Sequence, residues 1–329
     1  MSAKKSVLTV LALTLATYPV FFVLYRLMIF QTTPRDDYAY YLLWLAHAPG
    51  GALPGSPYIY RIFSIVLAWP LYHLLPVFHL TNIPASTPIP YQRATAALAL
   101  LSDIGALAAS VLTFGVAQRL GKTALTALLS ALLVYGGGWF TQMEGIDTVT
   151  ILGVVGVVIL LQKPDRYFPA LLALTFVNEK IAIITFLFLA LRCATSADDR
   201  KQFGVKLGIA ALALAVYGAV LATLHVGGNA YQLTPSGYPA NFVHNLAVNL
   251  SLRGVLLSWG PTALFLALAL IGLHGQPSLF SRRDALLAPA LVAVGMVLTQ
   301  DFNIGRVVMM AIPLVAIPAA ERLARALEA

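Results

Sequence analysis

The sequence predicts an all-α protein, a polytopic transmembrane helical bundle of about ten spans with interfacial helices in its first external loop and no soluble domain. Three observations lead there. Of 329 residues, 59% are hydrophobic and only 10% charged, a balance outside the range of soluble domains. Apolar runs recur from end to end. The loops between them are mostly short and hold most of the Lys and Arg, the positive-inside distribution of membrane chains. In a soluble protein the excess of 21 Lys and Arg over 13 Asp and Glu would suggest nucleic acid. Here it marks cytoplasmic loops, so membrane lipids and not nucleic acid are the expected partner.

In chain order the apolar segments fall at 6–30, 92–118, 123–140, 147–162, 167–178, 180–192, 203–224, 254–274, 285–299 and 305–321. The first follows "MSAKK" and is too long for a signal-peptide core, with no small-residue cleavage site behind it, so it reads as an uncleaved anchor. Basic clusters at Lys4/Lys5, Arg119/Lys122, Lys163/Arg166, Arg192/Arg200/Lys201, Arg282/Arg283 and Arg322/Arg325 belong on the cytoplasmic side. An even number of crossings must then separate successive clusters. Residues 59–79 are long enough to span, but counting them would put Arg119 and Lys122 outside. They are therefore expected to form an interfacial or half-embedded helix within the first external loop, 31–91.

The same parity splits 166–192 into two short helices meeting at "VNEK". About 12 residues at 1.5 Å each reach about 18 Å, short of a hydrocarbon core of about 30 Å. The "NEK" residues are then expected to line a wet, outward-facing depression, since irregular backbone at that depth needs protein or water around it. No repeat, low-complexity tract or long loop divides the chain, so 1–329 reads as one membrane domain with both termini cytoplasmic. The segment 225–253 reads as its other long polar-flanked stretch.

This topology gathers Asp36, Asp37, Glu144, Asp147, Glu179 and Asp301 on the external side, with Arg35, Arg61, Arg93, Lys180, Arg253 and Arg306. Ionisable groups at membrane segments are costly and by default indicate a functional site. In "TTPRDDYAYYLL" the adjacent Asp36 and Asp37 can cap the following helix. One aspartate suffices for a cap, and a second beside it is unfavourable unless a cation, a shared proton or a substrate hydroxyl uses it. Glu144 and Asp147, three apart in "EGID", can share a helical face, or Asp147 can cap the next segment. Glu179 and Lys180 are neighbours that cannot face each other on a helix, so each needs its own partner. Asp301 and Arg306 can pair within their loop, and Asp103 reads as a bundle-interior acid.

Other chemistries lack support in the residues. The six histidines show no metal-ligand spacing, and no phosphate-binding glycine loop or nucleophile motif occurs. The single Cys193 gives no disulfide or metal-thiolate argument. The sequon at Asn249 is too short a match to use.

An acidic pair in the first external loop, interfacial helices, "EGID" at the next external turn, a short-helix pair carrying Lys180, and a late "DFNIGR" before a Pro-containing helix follow one another in an order that resembles the GT-C superfamily of integral-membrane glycosyltransferases. The resemblance spans most of the chain and rests on order and sidedness. It implies a polyprenyl-phosphate-linked sugar donor, an acceptor that is a glycan, lipid or protein, and inverting transfer at the extracytoplasmic face of a prokaryotic plasma membrane, in envelope glycan biosynthesis. It assigns Asp36 and Asp37 to the catalytic base or to a divalent cation such as Mg or Mn. Lys180, Arg306, Arg61 and Arg93 become candidates for holding the lipid phosphate. The large soluble C-terminal domain of many members has no counterpart here. Two other readings compete: a secondary transporter or flippase, which also uses broken helices and buried charge, and a non-catalytic subunit of an envelope-assembly complex, which would tolerate loss of Asp37 or Lys180.

Overall fold

The computed structural model describes residues 42–43, 45–47, 62–75, 88–141, 169, 179–223, 237–255, 267, 270–271, 287–298 and 312–329. Among these residues the protein is all-helical, without a strand. In chain order the helices are α1 (Ile62–Leu74), α2 (Ile89–Arg119), α3 (Ala124–Thr141), α4 (Glu179–Thr195), α5 (Ala197–Thr223), α6 (Gly237–Leu250), the short α7 (Leu252–Gly254), α8 (Leu287–Leu298) and α9 (Ile312–Glu328). Among the described residues no helix is long and apolar enough to cross a membrane. The longest, α2, carries Gln92, Arg93, Ser102, Asp103, Ser110, Thr113 and Gln118 along its length.

Local chemistry sets the boundaries of α2 and α3. Pro88 precedes α2 and a proline stands in its first turn, where the missing N–H costs nothing and the fixed φ is already helical. At the other end Gly121 takes a φ of 70°, a left-handed conformation that glycine adopts without strain. Its N–H donates to the Gln118 carbonyl at 3.0 Å and the Lys122 N–H to the Ala117 carbonyl at 3.1 Å, the pair of bonds that defines a Schellman stop. Thr123 then starts α3, its hydroxyl accepting from the Thr126 N–H at 3.2 Å. A second tight turn joins α4 to α5. There Ser196 accepts from the Asp199 N–H at 3.2 Å, and Asp198 and Asp199 occupy the first turn of α5, the end that favours negative charge.

Both turns carry basic clusters assigned to one side by the sequence, Arg119/Lys122 and Arg192/Arg200/Lys201. At the second, Arg192 pairs with Asp199 at 3.4 Å and the Arg200 Nε donates to the Cys193 carbonyl at 3.1 Å. Cys193 is buried and free. Burial and the nearby charge of Asp199 push its thiol pKa up, partly offset by Arg200, a direction that disfavours the thiolate.

α2 packs on α3 and α1, and α9 packs on α3 and α2; α4 packs on α5, and α8 touches both α4 and α6. Small residues are frequent among the buried positions of α2, α3 and α9, beside larger ones such as Phe114, Tyr135 and Ile317. Ala106, Ala109, Ser110 and Thr113 are buried on α2, Ala127, Ser130 and Ala131 on α3, and Ala316, Ala319 and Ala320 on α9. Small side chains let backbones approach closely, close enough for the Ser110 hydroxyl to donate to the Ala131 carbonyl at 2.8 Å.

Lys122 and Glu321 tie the α2–α3 turn to α9. The lysine Nζ lies 2.7 Å from one carboxylate oxygen, and Arg325, one turn further along α9, lies 2.7 Å from the other. Burial disfavours the Glu321 charge, but the hydrogen bonds and charges of Lys122 and Arg325 outweigh it and hold the carboxyl below its ordinary value of 4.5. A lowered carboxylate pKa adds stability that is present above the unfolded value and lost as pH falls through the folded one. The melting temperature of the detergent-solubilised protein is therefore expected to fall on acidification below about 4.5, with that part of the acid sensitivity absent in Glu321→Gln. Identical acid profiles for the two proteins would show the triad to be inert.

Two helices reach beyond the apolar segments. The last continues to Glu328, past the apolar segment 305–321, because Arg, Ala, Leu and Glu are strong helix formers and the pairing of Glu321 with Arg325 joins successive turns. The stretch 225–253, expected only as a polar-flanked connection, contains α6. Its asparagines are inside: Asn245 and Asn249 are buried, and the Asn241 and Asn245 side-chain amides donate to the Val297 and Met296 carbonyls of α8 at 2.7 and 2.9 Å. Burial of Asn249 also removes its sequon from consideration. Replacing Asn245 by Leu strips the Met296 carbonyl of this donor and is expected to cost about 1–3 kcal/mol, measured as a lowered melting temperature. An unchanged melt would mean that the bond contributes nothing net. Beyond α6, Ser251 caps α7 by accepting from the Gly254 N–H at 3.0 Å. A Cβ at Gly254 would collide with the Val248 carbonyl and the Asn249 Cα, so only glycine fits this turn.

Candidate functional site

The described residues bring Arg93, alone of the candidates, together with groups the sequence did not connect to it. Arg93 stands one turn into α2, flanked by buried Tyr91, Gln92 and Ala94. Its guanidinium carbon lies 5.5 Å from the ring centroid of Tyr72 on α1. Tyr72 is buried because Ile65, Ala68 and Tyr72 recur at helical spacing on one face of α1 and pack with Leu42, Tyr91, Ala94, Ala97 and Leu98.

The Tyr72 hydroxyl shares a hydrogen bond of 2.8 Å with the Nε2 of His47. With the hydroxyl donating, Nε2 accepts and Nδ1 carries the proton. The rings of Trp69, His73, Tyr72 and His47 follow one another edge to face, with centroid separations of 4.5, 5.2 and 5.8 Å. The row is an aromatic wall, apolar in body and polar at its tips.

Arg93 is only half-buried, but its Nε is shut off from solvent with no hydrogen-bond partner. A buried donor left unmade costs about 1–3 kcal/mol, and more when charged. The face of Tyr72 returns about 0.5–2 kcal/mol through cation–π attraction. The balance leaves a guanidinium that a nearby anion would stabilise, and guanidinium is the side chain best matched to phosphate or carboxylate.

Glu179 and Lys180 lie in the first turn of α4. Asp36, Asp37, Arg61, Glu144, Asp147, Asp301 and Arg306 lie outside the described residues. Among the described residues no three His, Cys, Asp or Glu stand together as a metal site, and the pair expected to bind a divalent cation, Asp36 and Asp37, is not among them.

Sequence reasoning missed His47, Tyr72, His73 and Trp69. Histidines entered only for metal spacing and, at His73, as a mark against a spanning segment, and nothing in the order of residues shows that position 47 meets position 72. The one available signal was the run of aromatic and histidine residues in "AWPLYHLLPVFHL", which departs from the purely aliphatic make-up of a spanning segment. Comparison of the chain with known protein families, curated proteins and solved structures finds no match.

Proposed function

We propose that the chain is an integral-membrane glycosyltransferase of about ten crossings that moves a sugar from a polyprenyl-phosphate donor to an acceptor at the extracytoplasmic face. The observation that carries this reading is Arg93, a cation whose Nε is buried without a hydrogen-bond partner beside an aromatic wall, which suits the junction of a lipid phosphate and its apolar chain. The helix contacts made by small residues fit a membrane protein, since close backbone approach replaces the hydrophobic drive that lipid surroundings remove.

In this reading Arg93, Arg61, Lys180 and Arg306 hold the phosphate and offset the charge that develops on it as the sugar leaves. Asp36 or Asp37 takes the proton of the acceptor hydroxyl, and Glu144, Asp147, Glu179 and Asp301 contact sugar or acceptor hydroxyls. A divalent cation held by Asp36 and Asp37 would supply further charge neutralisation at the departing phosphate.

The test is binding of a radiolabelled polyprenyl phosphate to the protein in nanodiscs, compared with the uncharged polyprenol of the same length, followed by a transfer assay with the phosphate-linked sugar. Preferential binding of the phosphate and loss of label from the lipid are expected. Equal binding of both lipids removes the phosphate site. Movement of the intact labelled donor across proteoliposomes without sugar transfer would replace the enzyme by a flippase.

A further inference from the structure

Helix α6 is built inside out. Asn241, Asn245 and Asn249 recur every four residues and so lie along one face, and that face is turned into the protein: Asn245 and Asn249 are both 0% exposed. Met296 and Val297, whose carbonyls accept from Asn245 and Asn241, lie in the last turn of α8, where carbonyls have no partner within their own helix. Asn249 continues the ladder, its amide donating to the Asn245 carbonyl at 2.7 Å. The apolar residues of α6 face the other way. Phe242 and Leu246 are exposed, Val243 is 63% and Leu250 66% exposed, and Leu252 just beyond is 79% exposed.

A helix on a water-facing surface turns its apolar stripe inward and its polar side chains outward. The reverse arrangement is favourable where the surroundings are less polar than the protein contact they replace. No Lys, Arg, Asp or Glu occurs from Leu207 to Leu252, and the exposed His244 is the one basic side chain on α6. A second copy of the chain, a segment of this chain outside the described residues, or lipid could cover the face. The distribution of exposed apolar residues decides between them. Leu67 and Leu74 on α1 and Val205, Leu212 and Val216 on α5 are also large, apolar and exposed. A partner protein covers one patch, whereas apolar exposure spread over separate helices needs a covering on all sides.

We propose that the face formed by Phe242, Val243, Leu246 and Leu250 lies against the acyl chains of the bilayer, with α6 a short lipid-facing helix anchored to the end of α8 by its asparagine ladder. At about 21 Å for 14 residues, α6 is shorter than a hydrocarbon core of about 30 Å, so it rests at the margin of the bilayer without crossing it. This inference rests on the membrane part of the functional reading and not on its chemistry.

The test uses single cysteines at positions 243, 246 and 250, spin-labelled in full-length protein reconstituted into phosphatidylcholine–phosphatidylglycerol vesicles. Cys193→Ala is the background; should that variant fail to fold, the buried Cys193 is left in place as the slow-labelling site. Position 198, exposed in the first turn of α5, serves as the aqueous control. At all three α6 positions the label is expected to collide with oxygen several-fold more, and with a water-soluble nickel chelate several-fold less, than at position 198. Nickel access equal to the control places the face in water and overturns the proposal. Low access to both reagents with dipolar broadening between labels places a second copy there and overturns it equally. No donor or acceptor enters the measurement, so its result is independent of whether the chain transfers sugar.

Discussion

Asp36→Asn or Asp37→Asn is expected to slow sugar transfer by about 10²–10⁴-fold, the range lost when a general base is removed, while leaving folding and lipid binding intact. The isosteric change separates two roles. Asn caps a helix nearly as well as Asp, so a capping aspartate would survive it with little loss, whereas a base or a metal-binding carboxylate would not. Asp37 is the more sensitive of the two in this scheme, because it lies closer to the helix that would orient it. The readout is the single-turnover rate at saturating donor, with donor affinity measured separately. A double Asn variant that transfers sugar at the wild-type rate would make both carboxylates structural and move the search for a base to Glu144, Asp147 or Glu179.

Arg93→Ala is expected to weaken binding of polyprenyl phosphate by about 10- to 100-fold. A hydrogen bond to a charged group contributes about 1.5–3 kcal/mol, and 1.4 kcal/mol corresponds to a factor of ten. Arg93→Lys should recover only part of the loss, since an ammonium keeps the charge but not the planar fork that engages two phosphate oxygens. Binding of the uncharged polyprenol should be the same in all three proteins, which distinguishes a lost phosphate contact from a collapsed pocket. Unchanged phosphate affinity in Arg93→Ala would reduce Arg93 to a cation–π contact with Tyr72 and leave Arg61, Lys180 and Arg306 as the candidate phosphate ligands.

Much of the helical order was legible because it depends on local chemistry. Apolar segments expected at 92–118 and 123–140 appear as Ile89–Arg119 and Ala124–Thr141, displaced by only one to three residues at each end. Gly121 and Thr123 supply the stop and start between them. The helix expected from 180 begins at Glu179. The placement of α6 was not legible, because Asn241 and Asn245, which mark it as polar, donate to carbonyls of α8 some fifty residues away in the chain. The continuation of α9 beyond 321 was hidden in the same way. The helix-forming residues after 321 were in the sequence, but an apolar pattern ends at the first charge, and only the structure shows Lys122 meeting Glu321.

The candidate site divides along the same line. That Arg93 is a cation in a chain poor in charge, and so calls for an explanation, follows from the sequence by itself. So does the all-α class, since composition and periodicity are properties of neighbouring residues. What Arg93 rests against was decided only by tertiary structure. The meeting of α1 with α2 puts Tyr72 under the guanidinium, and the helical residues near position 42 bring His47 to the Tyr72 hydroxyl. These are contacts between distant segments, set by which apolar faces pack together, and no local pattern encodes the partner of a face.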